Sequence, residues 1–170
     1  MNSKIIIGIP INSFDNPMSR LADSIDLKTR QILQKALLNN TVNCFRDKNI
    51  DIYLISTNKE VELFSEELDV KLYKAKVSGL NKEIIEFSKI IKNYEKWSIC
   101  HADLPYLNKF NISTFLNEIE NNKIVISKSS DNGTPLIGGS IYFDKFQYGK
   151  NSFIKHTDNL KKQKIEFKQI

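Results

Sequence analysis

The chain has 170 residues, of which 41% are hydrophobic and 26% charged, with a formal net charge of +5. That balance suits one folded domain over residues 1–170, and argues against a disordered chain. No run of about 18 apolar residues occurs and the N-terminus enters a strand with no charged-then-apolar leader, so a cytoplasmic protein with no membrane contact is expected.

Ile5-Ile6-Ile7-Gly8-Ile9 is a continuous apolar run closed by Pro10, the pattern of a strand covered on both faces. The polar stretch from Ile11 to Asp26 follows, broken by Pro17 and carrying Ser13, Ser19, Arg20 and Ser24. Asp26 is placed to cap a helix whose apolar positions are Leu33, Ala36, Leu37 and Cys44. Strands are expected at 51–56 and 70–73, with a short helix from Glu60 to Leu68 between them. Gly79-Leu80-Asn81 opens the next helix, with Ile84, Phe87, Ser88 and Ile91 on one face.

The stretch Trp97-Ser98-Ile99-Cys100-His101-Ala102-Asp103 reads as a strand ending in one carboxylate, which Pro105 then prevents from continuing. Alternation sends His101 and Asp103 to one face, Cys100 and Ala102 to the other. A helix from about Ser113 to Glu120 leads to a short strand at 123–126. Residues 129–140 form the one sustained small-residue segment. Tyr148-Gly149-Lys150-Asn151-Ser152-Phe153 turns into a final helix through His156 and Leu160, and a last strand begins before Ile170. The alternation predicts an α/β fold with a mainly parallel sheet and helices on both faces.

Cys44 and Cys100 lack the paired spacing of a zinc or redox motif, which argues against a disulfide framework. Neighbouring Cys100 and His101 point to opposite faces, which excludes a Cys–His hydrolase pair. Late lysines, including Lys145, Lys150, Lys155, Lys161 and Lys162, suit polyanionic small molecules as well as a simply solvated surface. No zinc finger, RRM signature or clamped KH loop points to nucleic acid. No Walker lysine motif or Gly-x-Gly-x-x-Gly is present either.

Three polar clusters follow predicted strands: Ser13 to Arg20, Asp103, and Asp131 to Thr134. In an open α/β sheet such loops converge on the crevice beyond the carboxyl ends of the strands. Arg20 offers a planar bidentate donor, Gly133 and Thr134 an exposed amide and a hydroxyl, and Asp103 a ligand for Mg²⁺.

In order, Ile9-Pro10, Ser19-Arg20-Leu21, Gly79-Leu80-Asn81, Ala102-Asp103-Leu104-Pro105, Asp131-x-Gly133-Thr134 and Phe146-x-Tyr148-Gly149-x-x-Ser152-Phe153-x-x-His156 resemble the 2-phospholactate guanylyltransferases. The resemblance spans nearly the whole chain. It implies a three-layer, Rossmann-like mixed sheet of the nucleotide-diphospho-sugar transferase (GT-A) type. It also implies transfer of a nucleoside monophosphate, GMP from GTP, onto a phosphorylated small acid such as 2-phospholactate or phosphoenolpyruvate, with release of pyrophosphate.

Residue by residue, the resemblance assigns Pro10, Ser19, Arg20, Gly79, Leu80, Asn81 and Asp103 to the nucleotide, with Ser19 and Arg20 around the triphosphate. Asp103 would hold Mg²⁺ and, with Arg20, carry catalysis; Gly133, Thr134, Gly149 and Ser152 would hold the acceptor phosphate. Asn81 serves equally well as a helix cap, and His156 as a half-buried helix histidine. The resemblance thus implies a nucleoside triphosphate and a phosphorylated small molecule as partners, and leaves a homodimer open. Family members usually carry lysine at the places of Asn12 and Met18, asparagine at Pro135, and two further metal-binding aspartates in a strand beyond this chain's end. These departures predict a changed acceptor or metal arrangement, a different phosphorylated acceptor, or nucleotide binding without turnover.

Overall fold

The structure, a computed structural model, describes residues 5–170. Met1 to Lys4, where the strand entry without a leader was expected, lie outside the described residues. In chain order the elements are β1 (Ile5–Pro10), α1 (Leu27–Phe45), β2 (Ile50–Ser56), α2 (Lys59–Glu67), β3 (Lys71–Lys74), α3 (Leu80–Ile91) and β4 (Lys96–Cys100). They continue with α4 (Lys109–Asn121), β5 (Ile124–Ile126), β6 (Leu136–Gly139), α5 (Ser152–Lys162) and β7 (Phe167–Gln169). A short 3-10 turn covers Ser19–Leu21.

The strands form one sheet in the order β3-β2-β1-β4-β6-β5-β7. β1, β2, β3 and β4 run parallel, β6 lies antiparallel between β4 and β5, and β7 is parallel to β5. The sheet is therefore mixed, and three layers result because each face buries its own cluster. One cluster joins Leu38, Val42 and Phe45 of α1, Val61 of α2 and Ile112, Phe115 and Ile119 of α4 to Ile7 and Ile9 of β1. The other joins Ile84, Phe87 and Ile91 of α3 and Phe153 and Leu160 of α5 to Trp97, Ile99 and Ile137.

β1 leads away to β2 on one side, whereas β4 leads away to β5 and β6 on the other. Where two connections diverge like this, the loops leaving the carboxyl ends part and leave a crevice. The crevice therefore falls between the loop after Pro10 and the loop after Cys100. No helix among the described residues is long and apolar enough to cross a membrane.

Several local expectations need correction. β4 ends at Cys100, three residues before Asp103, because its neighbour β6 starts only at Leu136 and Pro135 has no N–H to extend the ladder. Pro135 contributes only its carbonyl, which accepts from His101 N at 2.9 Å. The small-residue segment 129–140, for which no strand was expected, holds β6. Its glycines fit a crowded site: a Cβ on Gly138 would lie 2.5 Å from the Trp97 carbonyl, and one on Gly139 would strike the Lys123 carbonyl. α4 starts at Lys109, a turn earlier than expected, because the Asn108 side chain accepts from Asn111 N at 2.9 Å.

On α1 the buried stripe is Leu38, Thr41, Val42 and Phe45, about one position round the helix from the expected row. Ala36 is exposed there, and Leu33, Leu37 and Cys44 are half-buried. Asp26 caps the helix as expected, accepting from Thr29 N at 3.0 Å and Thr29 Oγ1 at 2.6 Å.

Candidate active site

The loop after β1 carries Ser19 and Arg20, both exposed. Its shape is set from beneath by α1. Arg30, only 5% exposed, donates from Nη1 to Pro17 O (2.6 Å) and Asn16 Oδ1 (2.8 Å), and from Nε to Ile25 O (3.1 Å). Gln31 Nε2 donates to Phe14 O at 2.9 Å, while the Phe14 ring is buried edge-on to Phe64. A guanidinium spends its fixed fork of donors on backbone turns that would otherwise stay unpaired. Met18, at φ 49°, takes the left-handed conformation that aims the turn at Ser19–Leu21.

Across the crevice, β5 and β6 are joined by a hairpin whose tip is Asp131-Asn132-Gly133. Asp131 Oδ1 accepts from Ser129 Oγ at 2.6 Å and from Gly133 N at 3.1 Å. Those two bonds, the Ser129 hydroxyl first, hold the Asp131 carboxyl below its ordinary range. The Gly133 amide, expected to be free, is thus used within its own turn. Arg20 Nη1 stands 4.0 Å from Asp131 Oδ2, so the two loops meet at the mouth, with Arg20 92% exposed. An ion pair this open is worth little, and the guanidinium remains available to an anionic ligand.

Asp103 sits between these loops. Its carboxylate is exposed, and among the described residues it makes no hydrogen bond or ion pair. The strand parity persists past the end of β4: Cys100 and Ala102 pack into the cluster with α1 and α4, while His101 lies edge-on to Tyr148 with ring centroids 4.9 Å apart. Burial keeps the His101 imidazole below its ordinary pKa, against the opposing pull of Asp103. The Cys100 thiol is pushed up by burial and donates to its neighbour's carbonyl, so it is no nucleophile. Both cysteines are free.

Thr134, expected to offer its hydroxyl to a phosphate, is buried, with its Oγ1 3.0 Å from His156 Nδ1. His156 Nε2 accepts from Gln147 N at 2.8 Å, so the ring proton sits on Nδ1 and is donated to Thr134. That assignment leaves the Thr134 O–H proton uncommitted. His156 is fully rather than half buried, and burial, with His101 and Lys155 nearby, lowers its pKa to about 4. Ser152, the first residue of α5, is buried, and Gly149 before it is exposed at φ 112°.

Asn81 neither caps α3 nor stands free. Gly79 is the helix cap, and its N–H is taken by Glu83 Oε1 at 2.9 Å. The Asn81 side chain instead accepts from Tyr148 N at 2.6 Å and donates to Tyr148 O at 3.2 Å. The structure thus gathers Pro10, Ser19, Arg20, Asp103, Gly133, Thr134, Gly149 and Ser152 at one edge of the sheet, and ties Asn81 to that edge through Tyr148. Sequence reasoning missed Arg30 and Gln31, whose helical positions carried no sign of the loop they hold.

Mg²⁺ characteristically uses one or two carboxylates together with substrate phosphates and water, not an all-protein cage. One uncommitted, exposed carboxylate at the crevice fits that kind of site. Among the described residues no group of three or more His, Cys, Asp or Glu is placed to hold a metal on its own.

The fold is the one seen in nucleotide-diphospho-sugar transferases and cytidylyltransferases. A structure from Desulfovibrio desulfuricans G20, described as a nucleotide-diphospho-sugar transferase, superposes with a TM-score of 0.83 at 15% identity, covering 99% of this chain and 80% of that one. The 4-diphosphocytidyl-2C-methyl-D-erythritol synthase of Anaerococcus prevotii gives a TM-score of 0.59 at 15% identity, covering 99% and 89%. Within this class, the family model described as "Guanylyl transferase CofC like" matches residues 3–169, and the chain belongs to that family. The 2-phospho-L-lactate guanylyltransferase of Methanosphaera stadtmanae is 32% identical, over 96% of this chain and 74% of its own. The phosphoenolpyruvate guanylyltransferase of Thermobaculum terrenum is 23% identical, over 96% and 73%.

Proposed function

We propose that this protein transfers the GMP part of GTP to a phosphate oxygen of a phosphorylated three-carbon acid, such as 2-phospholactate or phosphoenolpyruvate, releasing pyrophosphate. One observation carries the proposal: an uncommitted carboxylate, Asp103, stands at the β1/β4 switch point of a CofC-like chain, with exposed Arg20 on the loop that leaves β1. The names of the related guanylyltransferases support the two acids as acceptors.

In this reading Ser19 and Arg20, with Pro10 at the strand end, cradle the triphosphate, and Gly79 and Leu80 border the nucleoside. Gly149 and Ser152 present the amino end of α5 to the acceptor phosphate, where the helix dipole favours negative charge. Thr134 adds its remaining O–H, and Gly133 shapes the hairpin beside it. An acceptor phosphate oxygen attacks the α-phosphorus of GTP in line. The new P–O bond forms as the bond to the bridging oxygen of pyrophosphate breaks. The attacking phosphate is already ionised, so no general base is required, and positioning with charge neutralisation does the work. Arg20 neutralises triphosphate charge through its fork of donors. Asp103 would hold Mg²⁺, which when bound supplies further neutralisation of phosphate charge.

The test is pyrophosphate release from GTP, ATP, CTP and UTP with phosphorylated and unphosphorylated three-carbon acids, with and without Mg²⁺. Release with GTP only in the presence of a phosphorylated acid supports the proposal. Nucleotide binding without release for every acceptor would refute it in favour of a binding-only protein.

A further inference from the structure

Residues 141–151 contain no helix or strand, yet they deliver Gly149 to the crevice. Backbone without regular partners must be fixed by side chains or water. Here two successive amides are taken by side chains: Gln147 N by His156 of α5, and Tyr148 N by Asn81 of α3. Asn81 also donates back to Tyr148 O, so one amide side chain grips both polar groups of a residue 67 positions away. The Tyr148 ring is wedged between His101 and His156, at 4.9 and 4.8 Å, and its hydroxyl is buried without a partner among the described residues. A buried hydroxyl without a bond disfavours this placement, and the packing of the ring together with the backbone grip offsets it. Beyond it, Gly149 and Asn151 both take positive φ, at 112° and 56°, and form the turn into Ser152.

We propose that Asn81 is a positioning residue: its two-bond grip on Tyr148 fixes the Tyr148–Ser152 segment against α3 and so sets the acceptor side of the site. The proposal rests on the reading of Gly149 and Ser152 as acceptor contacts. It gives Asn81, on the nucleotide side by sequence, its main effect on the other substrate. Loss of the grip lets Gly149 and Ser152 drift while Arg20, Asp103 and the triphosphate loop stay in place.

The experiment compares wild type with Asn81→Ala and the isosteric Asn81→Asp, which keeps the acceptor for Tyr148 N but faces the Tyr148 carbonyl with a carboxylate. The expected result is an acceptor KM raised about tenfold, the scale of one or two lost hydrogen bonds. The GTP Kd should stay within about twofold, and amide hydrogen exchange should accelerate over residues 147–152 with the rest of the fold still protected. A weakened GTP Kd with lost base preference, and unchanged exchange at 147–152, would overturn the proposal and make Asn81 a nucleotide contact. Unchanged KM, Kd and exchange in both variants would overturn it as well. If wild type turns over no acceptor, the proposed function fails separately. The grip is then judged by exchange at 147–152 and by its protection with phosphoenolpyruvate, which the variants should lose and which equal protection in all three proteins would contradict.

Discussion

Lowering the pH from 7 to 5 should destabilise this protein through His156 in particular. In the fold the ring is held neutral, with a pKa near 4, because it is fully buried and its Nε2 is an acceptor for Gln147 N. The unfolded chain titrates near an ordinary value of about 6.5. A lowered histidine pKa means that the unfolded state binds the proton first. The stabilisation is therefore fully present above about pH 6.5 and is lost as the pH falls toward 4. Between pH 7 and pH 5 this single group should remove about 2 kcal/mol of unfolding free energy. Urea denaturation at several pH values, on wild type and His156→Gln, measures it. The variant starts less stable because its contacts to Gln147 and Thr134 are disturbed, so the readout is the slope with pH. The nearby His101, also lowered by burial, interacts with His156, so the difference in slope between the two proteins includes the coupling of the two rings. Parallel slopes in the two proteins would refute the reasoning, since the buried ring would then not be the group that takes up the proton.

Arg30→Met keeps the aliphatic stem but leaves Pro17 O, Asn16 Oδ1 and Ile25 O without their donors. Bonds from a charged donor are worth about 1.5–3 kcal/mol each, so the GTP Kd should weaken by at least about tenfold, with faster hydrogen exchange over residues 11–25. Gly138→Ala presses a Cβ onto the Trp97 carbonyl, which cannot swing aside as a flexible side chain would. It should cost about 1–3 kcal/mol, read as a lowered Tm.

Sheet order and site position were legible in the sequence to different degrees. The apolar run 5–9 and the largely apolar runs at 51–56 and 97–100 announced buried strands because apolar side chains fall on both faces of each. The helix of Ile84, Phe87, Ser88 and Ile91 was equally plain, since those residues repeat at the helical period and are all buried. β6 was hidden because the strand's own crowding selects Gly138 and Gly139, and glycine pairs in sequence look like turns. The α1 face was misjudged by about one position because two apolar rows overlap along that helix. At the site, Asp103 and Arg20 were visible as an acid and a base after predicted strands. The bonds of Asn81, Arg30 and Thr134 were not, because each joins segments distant in sequence, or a side chain to a loop, through contacts that only the folded backbone creates. The Asp131-x-Gly133-Thr134 motif carried part of the resemblance, and the Asp131 carboxylate itself closes the turn that an Asp-Asn-Gly run commonly makes.

The central claim is that Asp103 belongs to the reacting centre and not to the scaffold. The most direct measurement is pyrophosphate release from GTP with phosphoenolpyruvate or 2-phospholactate by wild type and Asp103→Asn, alongside their denaturation curves. Because the side chain is exposed and makes no hydrogen bond or ion pair among the described residues, the two proteins should agree in stability within about 0.5 kcal/mol. Turnover should be abolished in the variant. Full activity in a folded Asp103→Asn protein would contradict the account.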